Sequence, residues 1–322
     1  MKFLHIQSQG DFDRLALETF RFQAKENAVY GKWVNLLGID PGRINQVDEI
    51  PFLPVEFFKS HDILTGNRSV ERIFESSGTT GITPARHLLT DTAVYDASLL
   101  AGFRHFFGNP SDYAILALLP SYLERGNSSL VYMMEQLITL SGRKLSGFYL
   151  HELDRLAEVI RLLESAQQPS LLVGVTYALL DLAEKHPMPL SSVRIIETGG
   201  MKGKRPEMNR QSLHSILQAA FSSPGIMSEY GMTELLSQAW SLEKGIFMTP
   251  PWMQIRIRDP YQPFQRLPHG RTGGIDIIDL ANLNSCAFIQ TQDLGRSHPG
   301  GSFEVLGRFS EADLRGCNLL VS

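Results

Sequence analysis

The chain has 322 residues, of which 43% are hydrophobic and 20% charged, with 30 Lys and Arg against 34 Asp and Glu for a formal charge of −4. That length accommodates one large domain or two moderate ones, and the composition is that of a soluble globular protein. The slight acidity offers no general attraction to nucleic acid or anionic lipid; two cysteines, Cys286 and Cys317, supply neither a metal-ligand spacing nor a disulfide framework, so a reducing, cytoplasmic setting is expected.

The N-terminal MKFLHIQSQGDFD has too short an apolar run for an export signal, and no stretch reaches the roughly 18 consecutive apolar residues of a transmembrane segment. Residues 11–30 read as a helix, because Phe12, Leu15, Ala16, Thr19 and Phe20 recur at helical spacing behind Asp11, a candidate N-cap. A proline-punctuated link after Gly38 leads to Pro51-Phe52-Leu53-Pro54-Val55-Glu56-Phe57-Phe58-Lys59, where the prolines oppose a regular helix and the aromatics call for burial. Phe74 to Arg86 follows, a run of glycine and hydroxyl residues closed by proline and a cation. Glycines let backbone N–H groups approach an anion, Ser77, Thr79 and Thr80 add donors and Arg86 adds charge, so this is a candidate phosphate loop; a polar turn between a strand and a helix is the plainer alternative. It is not a Walker loop, because Ile82 rather than lysine follows Gly81.

Asp91 to Phe107 reads as helix, and Tyr113 to Leu119 as a strand buried on both faces and ended by Pro120. A helix capped by Asn127 or Ser128 buries Leu130, Val131, Met134, Leu137 and Ile138 and stops at Gly142. Strand 171–175, helix 176–186, strand 193–197, the Thr198-Gly199-Gly200 turn and a helix over about 206–220 continue the alternation. Such alternation predicts an α/β fold, a mostly parallel sheet covered by helices, with ligands at the carboxyl ends of its strands. From about 245 the strands 253–258, 274–279, 287–291 and 303–306 succeed one another between turns. The expected division is an α/β core with the phosphate loop over 1–244 and a small β-rich subdomain over 245–322.

Gly126-Asn127-Ser128-Ser129-Leu130 lacks the second glycine of a nucleophile elbow, and the nine histidines show no H-E-x-x-H spacing, so neither a serine hydrolase nor a zinc site is indicated. Ser228-Glu229-Tyr230-Gly231-Met232-Thr233-Glu234-Leu235 gathers an aromatic that can stack a purine, a hydroxyl that can reach a phosphate and carboxylates that can hold Mg²⁺. Taken alone it also reads as a turn entering a helix.

In chain order, the glycine-rich loop, Thr198-Gly199-Gly200, the Tyr230 to Glu234 stretch, Thr291-Gln292-Asp293 and Gly307-Arg308 resemble the motifs of the adenylate-forming superfamily of acyl-CoA synthetases and adenylation domains. Over nearly the whole chain, P-F-L-P-V-x-x-F-K, E-S-S-G-T-T-G, E-T-G-G-M-K-G and the terminal R-G-C resemble the narrower LuxE-type acyl-protein synthetase (long-chain-fatty-acid–protein ligase) family. That family is the fatty-acid-activating component of a bacterial luminescence fatty-acid reductase system.

The resemblance implies the adenylate-forming fold without its mobile C-terminal domain, ATP and Mg²⁺ as cofactors, and an enzyme that activates a fatty acid as acyl-AMP. By resemblance Ser77, Gly78, Thr79, Thr80 and Gly81 cradle the phosphates, and Thr198, Gly199 and Gly200 with Tyr230 flank adenine. Thr233 contacts the acyl-adenylate phosphate, Glu234 binds Mg²⁺, and Asp293 holds the ribose with Arg308 nearby. Departures are Thr83 inserted before Pro84, Arg86 in place of a lysine, and Gln292 in place of a glycine. Arg315 beside Cys317 favours a thiolate, and the family implies Cys317 as the acyl acceptor, forming a thioester; a structural cysteine is the alternative. A swinging tail then replaces the swinging domain whose lysine assists adenylation in longer relatives, and Arg86, Lys202, Lys204 and Arg308 are candidates for that charge. The implied partners are a fatty acid and an acyl reductase or other acyl-accepting protein.

Two rivals remain, a ligase that uses soluble CoA and a non-catalytic nucleotide-binding or scaffold protein. Cys286 reads as a small buried hydrophobe. Phe57, Phe58, Phe103 and Tyr132 suit core packing, with an acyl tunnel as the alternative.

Overall fold

The computed structural model describes residues 1–76, 83–119, 126–150, 152–200, 205 and 208–309. Contacts group the chain into two compact units, one of Met1–Ser98, Glu234–Ser237 and Met248–Ser322, the other of Leu99–Thr233 and Gln238–Phe247.

In the first unit, helix α1 (Gln9–Glu26) is capped by Ser8, whose hydroxyl accepts from the Asp11 N–H at 3.1 Å, so Asp11 lies in the first turn and is not the cap. The predicted helix over 11–30 is two helices. Asn27 ends α1 and caps α2 (Ala28–Leu36), its side-chain oxygen accepting from the Val29 and Tyr30 N–H groups at 3.1 and 2.9 Å. A side chain at Gly31 would collide with the carbonyl of Ala24, so the two helices can meet this closely only because that position is glycine. The proline-rich segment forms a short extended piece, β1 (Leu53–Pro54), and one turn of helix, α3 (Phe57–Ser60). Strands β2 (Arg72–Glu75) and β3 (Arg86–Leu89) pair antiparallel with Glu75 opposite Arg86. A strand and not a helix therefore follows the glycine-rich stretch. Its ends are tied by Ser76, whose hydroxyl accepts from the Ala85 N–H at 2.8 Å. Helix α4 (Thr92–Phe107) follows, the first unit's segment ending within it at Ser98.

The second unit is built on β4 (Ala114–Leu118), α5 (Ser129–Ser141), β5 (Gly147–Phe148), α6 (Leu153–Ser165), β6 (Ser170–Gly174), α7 (Thr176–Lys185), β7 (Val193–Glu197), α8 (Arg210–Phe221), β8 (Met227–Tyr230), β9 (Ala239–Ser241) and β10 (Ile246–Phe247). Its sheet has the order β5-β4-β6-β7-β8-β9, parallel except for β9. Every residue of β4 and β6 is buried, as their unbroken apolar runs require. Helix α5 is capped by Ser128 and stops at Gly142 in the left-handed conformation, both as predicted. Helix α6, not among the elements expected from sequence, carries Leu156, Ala157, Ile160 and Leu163 as its buried stripe. Helix α8 starts at Arg210 under an Asn209 cap, four residues later than expected. Strand order reverses between β4 and β6, the place where open sheets of this kind leave a crevice at their carboxyl ends.

The rest of the first unit is an antiparallel sheet of β11 (Met253–Arg258), β12 (Thr272–Asp279), β13 (Phe288–Ser297) and β14 (Phe303–Arg308), with β1 added parallel to β13. Phe20, Tyr30 and Phe52 pack around Phe288, with ring centroids 6.1 to 6.2 Å from it, and so fix α1, α2 and the proline segment to β13. Burial of four such rings is a large share of this core. Among the described residues no helix is long and apolar enough to cross a membrane.

Candidate functional site

Each unit holds one cluster of the predicted residues. In the first unit it is centred on Glu234. Asn282 donates from Nδ2 to the Glu234 carbonyl at 2.7 Å, and His87 Nε2 lies 3.1 Å from Asn282 Oδ1. Just beyond, buried Asp279 accepts from the Leu236 N–H, the Ser237 N–H and the Ser237 hydroxyl at 2.8, 3.0 and 2.6 Å. Glu234, Leu236 and Ser237 are thus tied to Asp279 at the end of β12 and to Asn282 just beyond it. Burial pushes the Asp279 carboxyl up, and these donors oppose that shift.

The Glu234 backbone is fixed, but its carboxyl is almost unpartnered: among the described residues its only donor is its own backbone N–H. Burial pushes it up to about 7; Arg308 and Lys59 oppose that shift and Asp293 reinforces it. Asp293 is buried on β13 and accepts from Arg308 Nε at 3.1 Å, across the register that places β13 against β14. Its own N–H donates to Thr291 Oγ1 at 3.0 Å. Glu234, Asp293 and Arg308, predicted from three distant motifs, therefore share one electrostatic neighbourhood. Arg86 is half exposed and ion-paired with Asp62 at 3.2 Å.

The second cluster lies at the carboxyl ends of β7 and β8. Glu197 is buried; it accepts from the Gly199 N–H at 2.8 Å and Arg210 Nε at 3.2 Å, with His214 Nε2 at 3.7 Å. Burial alone would raise this carboxyl, but His214, Arg210, Ser228 and the Gly199 N–H together hold it below the usual carboxylate range. Gly199 and Gly200 follow with φ of 74° and 92°, a backbone that side-chain-bearing residues rarely adopt. On the neighbouring strand, Tyr230 is buried, its ring 6.0 Å from Phe247, and Arg210 lies 4.9 Å above that Phe247 ring. Ser228-Glu229-Tyr230 is strand followed by turn, so the alternative of a turn entering a helix does not hold.

Glu229 lies between these motifs. Part of the residue meets solvent, but its carboxyl is enclosed and curls over Gly231, where any side chain would collide with it. Burial, reinforced by the Glu197 charge, pushes it up to about 8. Thr233 ends the first segment of this unit, half buried.

Ser77, Gly78, Thr79, Thr80 and Gly81, Lys202 and Lys204, and Cys317 lie outside the described residues. Arg205, next to those lysines, is clasped by Asp181 and Glu184 of α7 at 2.5 Å each. Cys286 is buried with its thiol pushed up to about 12 by burial, the inert environment expected of it. Phe58 and Phe103 are core residues, and Tyr132 is buried as well. Glu197, Arg210, His214, Asp279, Asn282 and Lys59 were not singled out from sequence. Two of them, Glu197 and Lys59, open or close quoted motifs, and that position was the available signal.

No protein-family model matches the chain. It is 25% identical over 334 aligned residues to the long-chain-fatty-acid–luciferin-component ligase of Vibrio harveyi, covering 96% of this chain and 86% of that one. Among solved structures it resembles ATP-bound MatB from Rhodopseudomonas palustris, with a TM-score of 0.57 at 19% identity over 76% of this chain and 50% of MatB. It also resembles 2-hydroxyisobutyryl-CoA ligase in complex with 2-HIB-AMP and CoA, with a TM-score of 0.67 at 13% identity over 96% of this chain and 70% of the ligase. The chain thus spans half the length of MatB. These likenesses establish the fold as that of the adenylate-forming ligases.

Proposed function

We propose that this chain, a ligase with the adenylate-forming fold and a relative of a long-chain-fatty-acid–luciferin-component ligase, converts a long-chain fatty acid and ATP to acyl-AMP and then to an acyl thioester on Cys317. The observation that carries the reading is Glu234, a buried carboxyl at the end of the Tyr230 to Glu234 motif, with Asp293 and Arg308 in its field.

In the first step a carboxylate oxygen of the fatty acid forms a bond to the α-phosphorus and the bond from that phosphorus to the β-phosphate oxygen breaks, releasing pyrophosphate. In the second the Cys317 sulfur bonds to the acyl carbon, the acyl carbon to phosphate oxygen bond breaks, and AMP leaves. Tyr230 with Thr198, Gly199 and Gly200 binds adenine in this reading. Asp293 takes the ribose hydroxyls, Thr233 the adenylate phosphate, and the 77–81 loop the outer phosphates. Glu234 suits Mg²⁺, because its oxygens have no competing side-chain donor among the described residues and a hard cation prefers such oxygens. Bound there, Mg²⁺ would supply charge neutralisation at the phosphates. The finished thioester suits delivery to an acyl reductase or another acyl-accepting protein.

The test is pyrophosphate release from Mg·ATP across a panel of acids of increasing chain length. Release dependent on a long-chain acid, and reduced on the order of 100-fold by Glu234→Gln, supports the reading. Wild-type protein that releases no pyrophosphate with any acid would overturn it.

A further inference from the structure

The P-F-L-P-V-x-x-F-K segment has no role in the proposed chemistry, and its placement is unusual for a surface lysine. Strand β1 pairs with β13 so that Leu53 faces Ile289 and Pro54 faces Gln290. The Val55 N–H then donates to the Gln290 carbonyl at 2.9 Å, and the Gln292 amide donates to the Glu56 carboxylate. This stitching ties residues 53–56, which lead directly into α3, to the strand that carries Asp293, one residue beyond Gln292. Phe58 is buried with its ring edge-on to His87 at 5.8 Å, and His87 is the residue hydrogen-bonded to Asn282, which holds the Glu234 carbonyl. With Phe58 pinned inward, the adjacent Lys59 is left on the exposed side of the turn.

Its charge is uncommitted. Arg86 is ion-paired with Asp62 and Arg308 is bonded to Asp293, whereas the Lys59 ammonium has neither an ion pair nor a hydrogen bond among the described residues; only its backbone N–H is engaged, donating to the Glu56 carbonyl. It nevertheless lies close enough to Glu234 to act on that carboxyl, alongside Arg308 and Asp293. A lysine left free beside two carboxylates and an arginine, on a flexible four-carbon stem, is a point charge available to an anion that enters the cluster.

We propose that Lys59 is a catalytic cation of adenylation, its ammonium contacting the phosphate oxygens of ATP as pyrophosphate departs from the acyl-AMP being formed. This rests on the adenylating reading above and adds to it a residue that binds the reacting phosphates. In the bond changes already described, Lys59 transfers no proton and offsets the negative charge on the phosphate oxygens as the phosphorus to oxygen bond breaks. Lysine and arginine both supply that charge; methionine keeps the stem and removes it.

The experiment measures the two half-reactions separately in wild type, Lys59→Met and Lys59→Arg. Fatty-acid-dependent pyrophosphate release reports adenylation, and acyl transfer to protein from supplied acyl-AMP reports the second step. Lys59→Met is expected to lower the adenylation rate on the order of 100-fold, to leave transfer from acyl-AMP within about threefold, and to be partly rescued by Lys59→Arg. Since Lys59 is exposed and unpaired, thermal unfolding of the variants should match wild type. Adenylation by Lys59→Met within about threefold of wild type would overturn the proposal, as would equal loss of both half-reactions. Absence of pyrophosphate release from wild type would instead remove the adenylating reading, and Lys59's role with it.

Discussion

Glu197 and Glu229 stand on neighbouring strands and are shifted in opposite directions. Glu197 is surrounded by four polar groups, the Gly199 N–H, Arg210, His214 and Ser228, which outweigh its burial, whereas no described hydrogen bond reaches the Glu229 carboxyl and burial beside the Glu197 charge pushes it up to about 8. At low pH Glu229 is protonated in the folded and unfolded chain alike and costs nothing. As pH rises from the ordinary glutamate range to about 8, the unfolded chain ionises while the folded one holds its proton, so stability is lost across that window and the loss is constant above it. Glu229→Gln keeps the shape and removes the titration. Its thermal unfolding should match wild type near pH 4 and gain progressively up to pH 8, by on the order of 1–3 kcal/mol. A difference independent of pH would contradict the assignment. The sequence pointed to Glu229 only as one carboxylate of a motif. Its neutral form depends on Glu197, 32 residues earlier, and so was not legible there.

At the scale of elements, the segment after Thr233 is held by the end of β12 and the turn beyond it. Asn282→Ala should strand the Glu234 carbonyl and cost about 1–3 kcal/mol in urea unfolding. Because Asn282 fixes the backbone that presents the Glu234 carboxyl, adenylation should fall further than ATP binding. An equal fall in both would assign Asn282 a purely structural role. The long apolar strands and the caps at Ser128 and Gly142 were legible because each is set by residues within a few positions. The same holds for the strand edges at 193, 197, 253 and 258. The β2–β3 hairpin and the two-residue β1 were not, since short strands owe their existence to distant partners such as Ile289 and Gln290. Helix α6 is different: the apolar spacing of Leu156, Ala157, Ile160 and Leu163 is local and plain in the sequence.

Over the whole molecule, the motifs that suggest nucleotide chemistry are distributed between both units: Thr198 to Thr233 in one, and Glu234, Asp293 and Arg308 in the other. The fold is that of the adenylate-forming ligases, and the similarity to the long-chain-fatty-acid–luciferin-component ligase extends over 96% of the chain. What separates this chain from a ligase of soluble CoA is the proposed destination of the acyl group. The decisive measurement incubates the protein with Mg·ATP and labelled long-chain fatty acid, then counts hydroxylamine-labile label on denatured wild type and Cys317→Ser. The account predicts label on wild type and none on Cys317→Ser, with acyl-AMP still formed by both; label retained by Cys317→Ser, or no label on either with acyl-CoA produced when CoA is added, would contradict it.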